Sequence, residues 1–324
     1  MRASERGAAL LTVLLLVAVI AVLAATALER LRLSTRVAGN AAAIEQGRAY
    51  AYAAETLALT RIGTLLAASP SRVTLTGGWS GRPFGLPLPG GGVATARVTD
   101  GGNCFNLNGL VSQAAPGEYV SSPLGRGQFS RLLRLTGVPA QVAEQVAAGA
   151  ADWIDSDDQM QFQGAEDATY LRGETPYRTA GTLMADPSEL RAVSGVTPRL
   201  YEGIRRWLCT LPVAEPARLN VNTLLPEQAP LLAAQFPETL SVDAARQYLL
   251  QRPPQGYGDP QRLLAGPAAS GITPDTQGQL GVTSRWFALR IDVSLDGSIV
   301  EERALVDASR LPPRLISRQW GEQS

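Results

Sequence analysis

The chain has no histidine. It also has no lysine, so every one of its 29 basic residues is an arginine. Without histidine the commonest general base and metal ligand is missing. Most of the usual catalytic constellations go with it. Acidic residues also number 29, so no gross charge steers the chain to nucleic acid or an acidic surface. Cysteine is scarce: only Cys104 and Cys209. They form no C-x-x-C redox pair.

What the chain does have is a long apolar run at its start. Ala8 to Leu28 is 21 residues without a charge, and the helical pattern continues to about residue 68. That length spans a bilayer at about 1.5 Å per residue across roughly 30 Å of hydrocarbon. Three readings compete. A secretory signal peptide is supported by Arg2, Arg6 and the Ala25-Thr26-Ala27 site, but the run exceeds the usual h-region. A plain anchor is the second. The third rests on the Arg6-Gly7 junction at the head of the run, which resembles the leader of a type IV prepilin, cut between Gly7 and Ala8. Arginines on both sides of the run (Arg2 and Arg6; Arg30, Arg32 and Arg36) leave orientation open. Two lone thiols behind an export segment read as a Cys104–Cys209 disulfide, with two buried free thiols as the alternative.

Small and apolar residues at Ile44, Ala51, Ala54, Ala58, Ile62 and Leu65 put one stripe on the helix. Its alanines permit close approach. Glu45 and Arg48 are spaced to pair. Ser69-Pro70 stops the helix. Residues 76–92 are rich in glycine and proline and read as a loop. Val93–Val98 reads as a short strand. Residues 126–209 look mostly helical around a polar loop at 155–182, and 226–266 are helical again. Leu219 to Thr223 reads as a short strand leading to a helix cap. Trp286–Leu295 and Ile299–Val306 form a hairpin about Asp296-Gly297. From Leu311 onward the chain reads as loose.

Two recurrences stand out, one of them Gly137-Val-Pro, Gly195-Val-Thr-Pro and Gly271-Ile-Thr-Pro. Phe105-Asn-Leu-Asn-Gly-Leu110 resembles Leu219-Asn-Val-Asn-Thr-Leu224. The stretch from Asp186 to Pro198 resembles a helix-hairpin-helix, which can present helix N-terminal amides to phosphate. With Arg199, Arg205 and Arg206 it suggests an alternative, a membrane-tethered DNA-binding protein of the kind used in DNA uptake. Against it, the chain has no basic excess, and Glu189 and Glu202 sit among the arginines.

The densest chemistry is acidic. Asp152, Asp155, Asp157, Asp158, Glu166 and Asp167 fall within 16 residues. Counted from Asp155, oxygen-bearing side chains at Asp155, Asp157, Gln159, Gln161, Gln163 and Glu166 match the ligand offsets of an EF-hand loop. Met160 replaces the glycine of that motif. An all-oxygen set suits calcium rather than zinc or copper. The alternatives are a solvated acidic loop or a catalytic carboxylate pair.

Taken in order, these features resemble the minor pseudopilin K family of the type II (general) secretion pathway. The match rests on Arg6-Gly7-Ala8-Ala9-Leu10-Leu11-Thr12-Val13-Leu14-Leu15, Phe105-Asn-Leu-Asn-Gly-Leu110, Asp152-Trp-Ile-Asp-Ser-Asp157, Gly164-Ala-Glu-Asp167, Pro176-Tyr-Arg178 and Leu219-Asn-Val-Asn-Thr223. Gly181 departs from the asparagine expected there. The resemblance implies an α+β fold: a long N-terminal transmembrane and amphipathic helix packed on an antiparallel sheet, with a large helical domain inserted between strands. The expected parts are a leader (1–7), a transmembrane half-helix (8–28) and a periplasmic half-helix (29–68). An α/β domain is expected from 69–110, 211–225 and 282–310, an inserted helical domain at 111–210, a second helical segment at 226–281, and a flexible tail at 311–324. Structural calcium is carried to Asp155, Asp157, Glu166 and Asp167, with Gln159 added from the loop spacing.

The implied partners are the minor pseudopilins I and J, the major pseudopilin, a prepilin peptidase and the inner-membrane secretion platform. No nucleic acid and no catalysis are expected. The implied location is the inner membrane, single-pass, with a periplasmic C-terminal domain. In pilins and most pseudopilins the fifth mature residue is glutamate. Here it is Thr12, which does not require a cation in the bilayer and suits a subunit with nothing above it.

Overall fold

The computed structural model describes residues 3–89, 91–236, 239–262, 278–295 and 297–321. Helix α1 runs Ala3–Ala68, 66 residues, which is roughly 100 Å at about 1.5 Å per residue. It stops where Ser69-Pro70 predicts. Its apolar N-terminal half is uncovered by the rest of the chain. Its C-terminal half is not: Ala51, Ala54, Ala58 and Ile62 are buried and Leu65 packs against the same cores. Ile44 is exposed instead, because the sheet reaches the helix only from about Gly47. A methyl group at Gly47 would stand 2.8 Å from Val300 Cγ2, so glycine and alanine here let helix and sheet approach closely. Glu45 and Arg48 pair at 2.6 Å on the outer side.

The strands follow in chain order: β1 (Phe84–Pro87), β2 (Val93–Asp100), β3 (Phe105–Asn106), β4 (Val111–Ala115), β5 (Glu118–Ser121), β6 (Leu208–Cys209), β7 (Leu219–Asn220), β8 (Leu280–Gly281), β9 (Trp286–Leu295), β10 (Ser298–Asp307) and β11 (Arg314–Trp320). The main sheet is antiparallel, in the order β1-β2-β9-β10-β11. Ala94, Ala96, Val98, Phe287, Leu289, Ile291, Val293, Val300, Ala304 and Val306 alternate onto the face covered by α1. The opposite face carries a ladder of charges, Arg97–Asp292 at 2.9 Å, Arg290–Glu301 at 3.1 Å and Arg303–Glu301 at 2.8 Å. The β9–β10 hairpin matches expectation, with Gly297 at φ 77° in the turn; Asp296 lies outside the described residues.

Two expected loops are strands. Phe84–Pro87 closes one sheet edge as β1. Arg314–Trp320, expected to be loose, closes the other as β11. Arg318 holds β11 to the helix, its Nη2 donating to Glu55 at 2.6 Å and its Nε to Glu302 at 3.3 Å. Glu302 is fully buried and one of its oxygens has no partner. Burial, reinforced by Glu55, pushes its carboxyl up to about 7. A group whose folded pKa is raised stabilises the fold fully below its unfolded value and loses that contribution as pH rises. Parent stability is therefore expected to fall relative to Glu302→Gln between pH 5 and 8, by about 2 kcal/mol. Parallel urea titrations at the two pH values check it; equal pH slopes would contradict it.

Between β2 and β9 the chain builds one separate helical core. It contains α2 (Pro123–Leu135), α3 (Ala140–Ile154), α4 (Asp167–Tyr170), α5 (Pro198–Ile204), α6 (Ala229–Ala234) and α7 (Val242–Leu250). Helix α2 starts at the Ser122 cap, with Pro123 in its first turn. Its Phe129, Leu132 and Leu133 face Val146, Ala150 and Ile154 of α3. The expected division at 111–210 and 226–281 is corrected here. Phe105, Leu107 and Leu110 from before the first block, and Leu219, Val221 and Leu224 from between the two, belong to the same core. Their apolar side chains point into the helices, not toward the sheet. The expected helix over 226–266 ends at Leu250, with turns to Arg262; its last residues lie outside the described residues.

The Asn-x-Asn repeat is a repeated clamp. Strands β3 and β6 pair in parallel, as do β7 and β8. In each copy the first asparagine accepts the amide of the second, Asn108 N to Asn106 Oδ1 at 3.2 Å and Asn222 N to Asn220 Oδ1 at 2.9 Å. The second then grips both backbone groups of a distant residue. Asn108 donates to Met184 O at 3.0 Å and accepts from Met184 N at 2.8 Å. Asn222 does the same with Tyr257, at 3.0 and 2.6 Å. Each clamp satisfies buried backbone groups that would otherwise cost about 1–3 kcal/mol apiece.

Candidate functional site

The acidic cluster forms where α3 ends. Asp152 lies in its last turn and Asp155, three residues on, is the capping residue just past its end. The loop 156–165 then folds back over them. Asp152 is fully buried and accepts the amides of Gln161 at 3.2 Å and Ala165 at 2.8 Å. The return is possible because residue 164 is glycine: a methyl group there would overlap the Asp152 carboxylate. Chain reversal also places Gln163 at φ 64°, the left-handed region that costs a side-chain-bearing residue energy. Glu166 follows as the residue before α4 and is buried beside Asp155 and Asp152.

Both oxygens of Asp155 and both of Glu166 are buried without a hydrogen-bond partner. Burial is the main cause that pushes Asp155 and Glu166 up to about 7 and Asp152 to about 6. Mutual repulsion adds to it, and Arg126 offsets it in part for Asp152 and Asp155. Two orphaned carboxylates in one buried place are expensive unless protonated or met by a cation.

Only part of the EF-hand spacing survives as geometry. Asp155 and Glu166 come together. Asp157 and Gln159 lie on the surface, where Asp157 accepts the Gln159 amide at 2.8 Å. Gln161 contributes its backbone N–H to Asp152. Asp167 turns away: it pairs with Arg178 and accepts Thr179 N at 2.9 Å. The Thr179 and Arg178 contacts hold its carboxyl below the usual range. Asp152, not included in the expected ligand set, is the third member of the centre. The signal for it was present, one helical turn before Asp155 on the buried side of α3.

Four hard oxygen donors, desolvated and carrying surplus negative charge, fit calcium better than a soft metal. Among the described residues no three acidic, cysteine or histidine side chains converge at metal-ligating distance. A bound calcium would therefore take Asp155 and Glu166, with the rest of its shell from carbonyl or water oxygens. Asp152, Asp155 and Glu166 are all buried, whereas a catalytic carboxylate pair must flank a substrate.

Cys104 and Cys209 are joined as a disulfide, with Cα atoms 5.8 Å apart. It lies beside the β3–β6 pair, whose register sets Asn106 opposite Cys209. Thr12 and the Gly7-Ala8 junction lie within α1. The helix-hairpin-helix does not present a phosphate site. Its first element is a 3₁₀ turn, Pro187–Ala192, capped by Asp186 and Glu189. Of the three arginines, Arg205 pairs with Glu202 at 3.0 Å and Arg206 lies over Trp207; Arg199 is exposed at the start of α5.

The sequence profile described as type II secretion system (T2SS), protein K matches residues 103–213 and 219–283. Those limits coincide with the helical core between β2 and β9. The type II secretion system protein K of Pectobacterium carotovorum subsp. carotovorum is 33% identical, over 99% of this chain and 98% of its own. That of Klebsiella pneumoniae is 33% identical, over 98% of this chain and 97% of its own. Among solved structures, a chain of the GspK–GspI–GspJ complex from the enterotoxigenic Escherichia coli type 2 secretion system superposes with a TM-score of 0.74 at 31% identity. The superposition covers 86% of this chain and 97% of that one. These matches give the DNA-binding alternative no support.

Proposed function

The chain belongs to the type II secretion system protein K family, and from that premise we propose that it occupies the tip of the periplasmic pseudopilus. As a minor pseudopilin it is a structural component of secretion. At the tip it would nucleate assembly with the minor pseudopilins I and J, and cap the fibre of major pseudopilin that moves folded proteins through the outer membrane.

The observation that carries this reading is the helical core between β2 and β9. It interrupts the sheet at neighbouring central strands and adds a second body, the first half of which is covalently closed by Cys104–Cys209. A subunit so enlarged is ill suited to repeated stacking along a fibre and well suited to ending it. Thr12 agrees, because a terminal subunit has no neighbour above whose amine a glutamate would meet. The assembly of the solved relative with GspI and GspJ supports the same partners here. The uncovered apolar half of α1 anchors the protein in a membrane; we assign that membrane as the inner one, with the sheet and helical core in the periplasm. Processing by prepilin peptidase between Gly7 and Ala8, assembly on the inner-membrane platform and a structural calcium held by Asp155 and Glu166 complete the proposal. No catalytic role is assigned.

The mass of the mature N-terminus after co-expression with a prepilin peptidase tests the export route. A start at Ala8, N-methylated, is expected. A start at Leu28 would mean a cleaved signal peptide, and the anchored fibre subunit would have to be abandoned.

A further inference from the structure

Residues 74–83 fold back as a glycine-rich loop against the last turns of α1. Trp79 fixes the loop: its indole N–H donates to Thr74 O at 2.7 Å, and its ring packs on Phe287 with centroids 5.7 Å apart. Gly81 N donates to Val98 O at 2.8 Å, tying the loop to β2. Between loop, helix and β1 lies a cavity of about 420 Å³. That is the size range of small-molecule sites. Ile62, Leu65, Trp79, Phe84 and Val98 form apolar walls, and one side is left open by Gly77 and Gly78.

The charge in this cavity is one-sided. Arg61 and Arg82 both line it and no acidic residue does. Neither arginine has a carboxylate partner among the described residues, whereas Arg48, Arg178, Arg285 and Arg318 all have one. Arg61 is held in place with its guanidinium 3.9 Å from the centroid of the Phe84 ring, a stacking that leaves the edge of the planar group able to donate. An apolar chamber takes a ring or short chain out of water. Two guanidiniums at the same chamber recognise a planar anion by paired hydrogen bonds. A highly charged ligand would meet too much apolar wall, and a neutral one would leave both cations unused.

We propose that this cavity binds an amphipathic monocarboxylate: one carboxylate, held by Arg61 and Arg82, joined to an aromatic or short aliphatic group that fills the Trp79–Phe84 chamber. The C-terminal aromatic residue of a peptide and a medium-chain fatty acid share this chemistry. The site is lined by residues of this chain alone.

The test uses the full chain in detergent micelles and ligand-observed fluorine NMR with N-acetyl-4-fluoro-L-phenylalanine. Saturable binding with a Kd on the order of 1 mM or tighter is expected. The carboxamide of the same probe should bind at least about ten-fold more weakly, as should the parent probe to Arg61→Gln/Arg82→Gln. Both arginines are exposed and outside the core, so the variant is expected to keep its fold, which circular dichroism checks. Displacement of the probe by octanoate assigns the fatty-acid source, and binding of the probe without such displacement assigns the peptide source; either supports the site. Equal binding of acid and amide, or an equal signal with parent and variant from partition into micelles, would overturn it.

Discussion

Replacing Cys104 and Cys209 by serine is expected to lower stability by about 4–5 kcal/mol, the chain-entropy value for a closed loop of about 100 residues; here the separation is 105. The bond closes the first half of the helical core, from the entry at β3 to the exit at β6, beside only two residue pairs of parallel sheet. So short a ladder cannot hold those ends on its own. The loss should therefore appear in the helical core first, with the α1–sheet unit following separately. Urea unfolding of the double serine variant, followed by the fluorescence of Trp153 and Trp207 against that of Trp79 and Trp320 in single-tryptophan backgrounds, measures both. A midpoint unchanged by the double substitution would show that the Asn108 clamp and the apolar core already fix the loop ends.

Chelation is expected to have the second large effect. With the cation removed, Asp155 and Glu166 are buried carboxylates with raised pKa, as is Asp152. Raised folded values mean that the chelated protein is most stable below about pH 4 as far as these groups are concerned. It loses that contribution as pH climbs through about 6 to 7. Calcium bound by Asp155 and Glu166 would compete with those protons. Its stabilisation should be on the order of 3–4 kcal/mol at pH 7.5 when free calcium is several hundred times Kd or more, and should shrink toward zero by pH 5. Asp155→Ala should abolish it. Asp167→Asn should leave it nearly intact, because Asp167 is committed to Arg178 and Thr179. Thermal unfolding with calcium and with chelator checks all three statements. Full calcium stabilisation of Asp155→Ala, or its loss in Asp167→Asn, would contradict the assignment of the site.

Periodic features were legible in the sequence and non-local ones were not. The Ala51–Ala54–Ala58–Ile62 stripe follows from helical spacing alone, and the β9–β10 hairpin from alternation around Asp296-Gly297. Ile44 fits the same period yet is exposed, because the helix outruns the sheet and nothing in the local pattern marks where the partner ends. Edge strands β1 and β11 each bond to one neighbour, so their sequences tolerate Pro87 and the charged Arg314 and Arg318, and neither carries a strong alternation. The two-residue parallel pairs β3–β6 and β7–β8 join segments far apart in the chain. Their trace in the sequence was the repeated Asn-x-Asn, visible as a recurrence but silent about what the amides hold. In the acidic site, spacing found Asp155 and Glu166 but also selected Asp157 and Gln159, which the loop leaves in water. Asp152 was passed over because helix geometry, not loop spacing, brings it in. Gly181, the departure from the expected asparagine, sits at φ 56°, a conformation that glycine and asparagine both accept.

A subunit with this inserted core is proposed to end the fibre. The most direct measurement is gold labelling of its helical core in assembled pseudopili, read by electron microscopy. A single label at one end of each fibre is expected, with that end carrying the minor pseudopilins I and J as well. Labels repeated along the shaft would contradict it, and the enlarged core and Thr12 would then need another explanation.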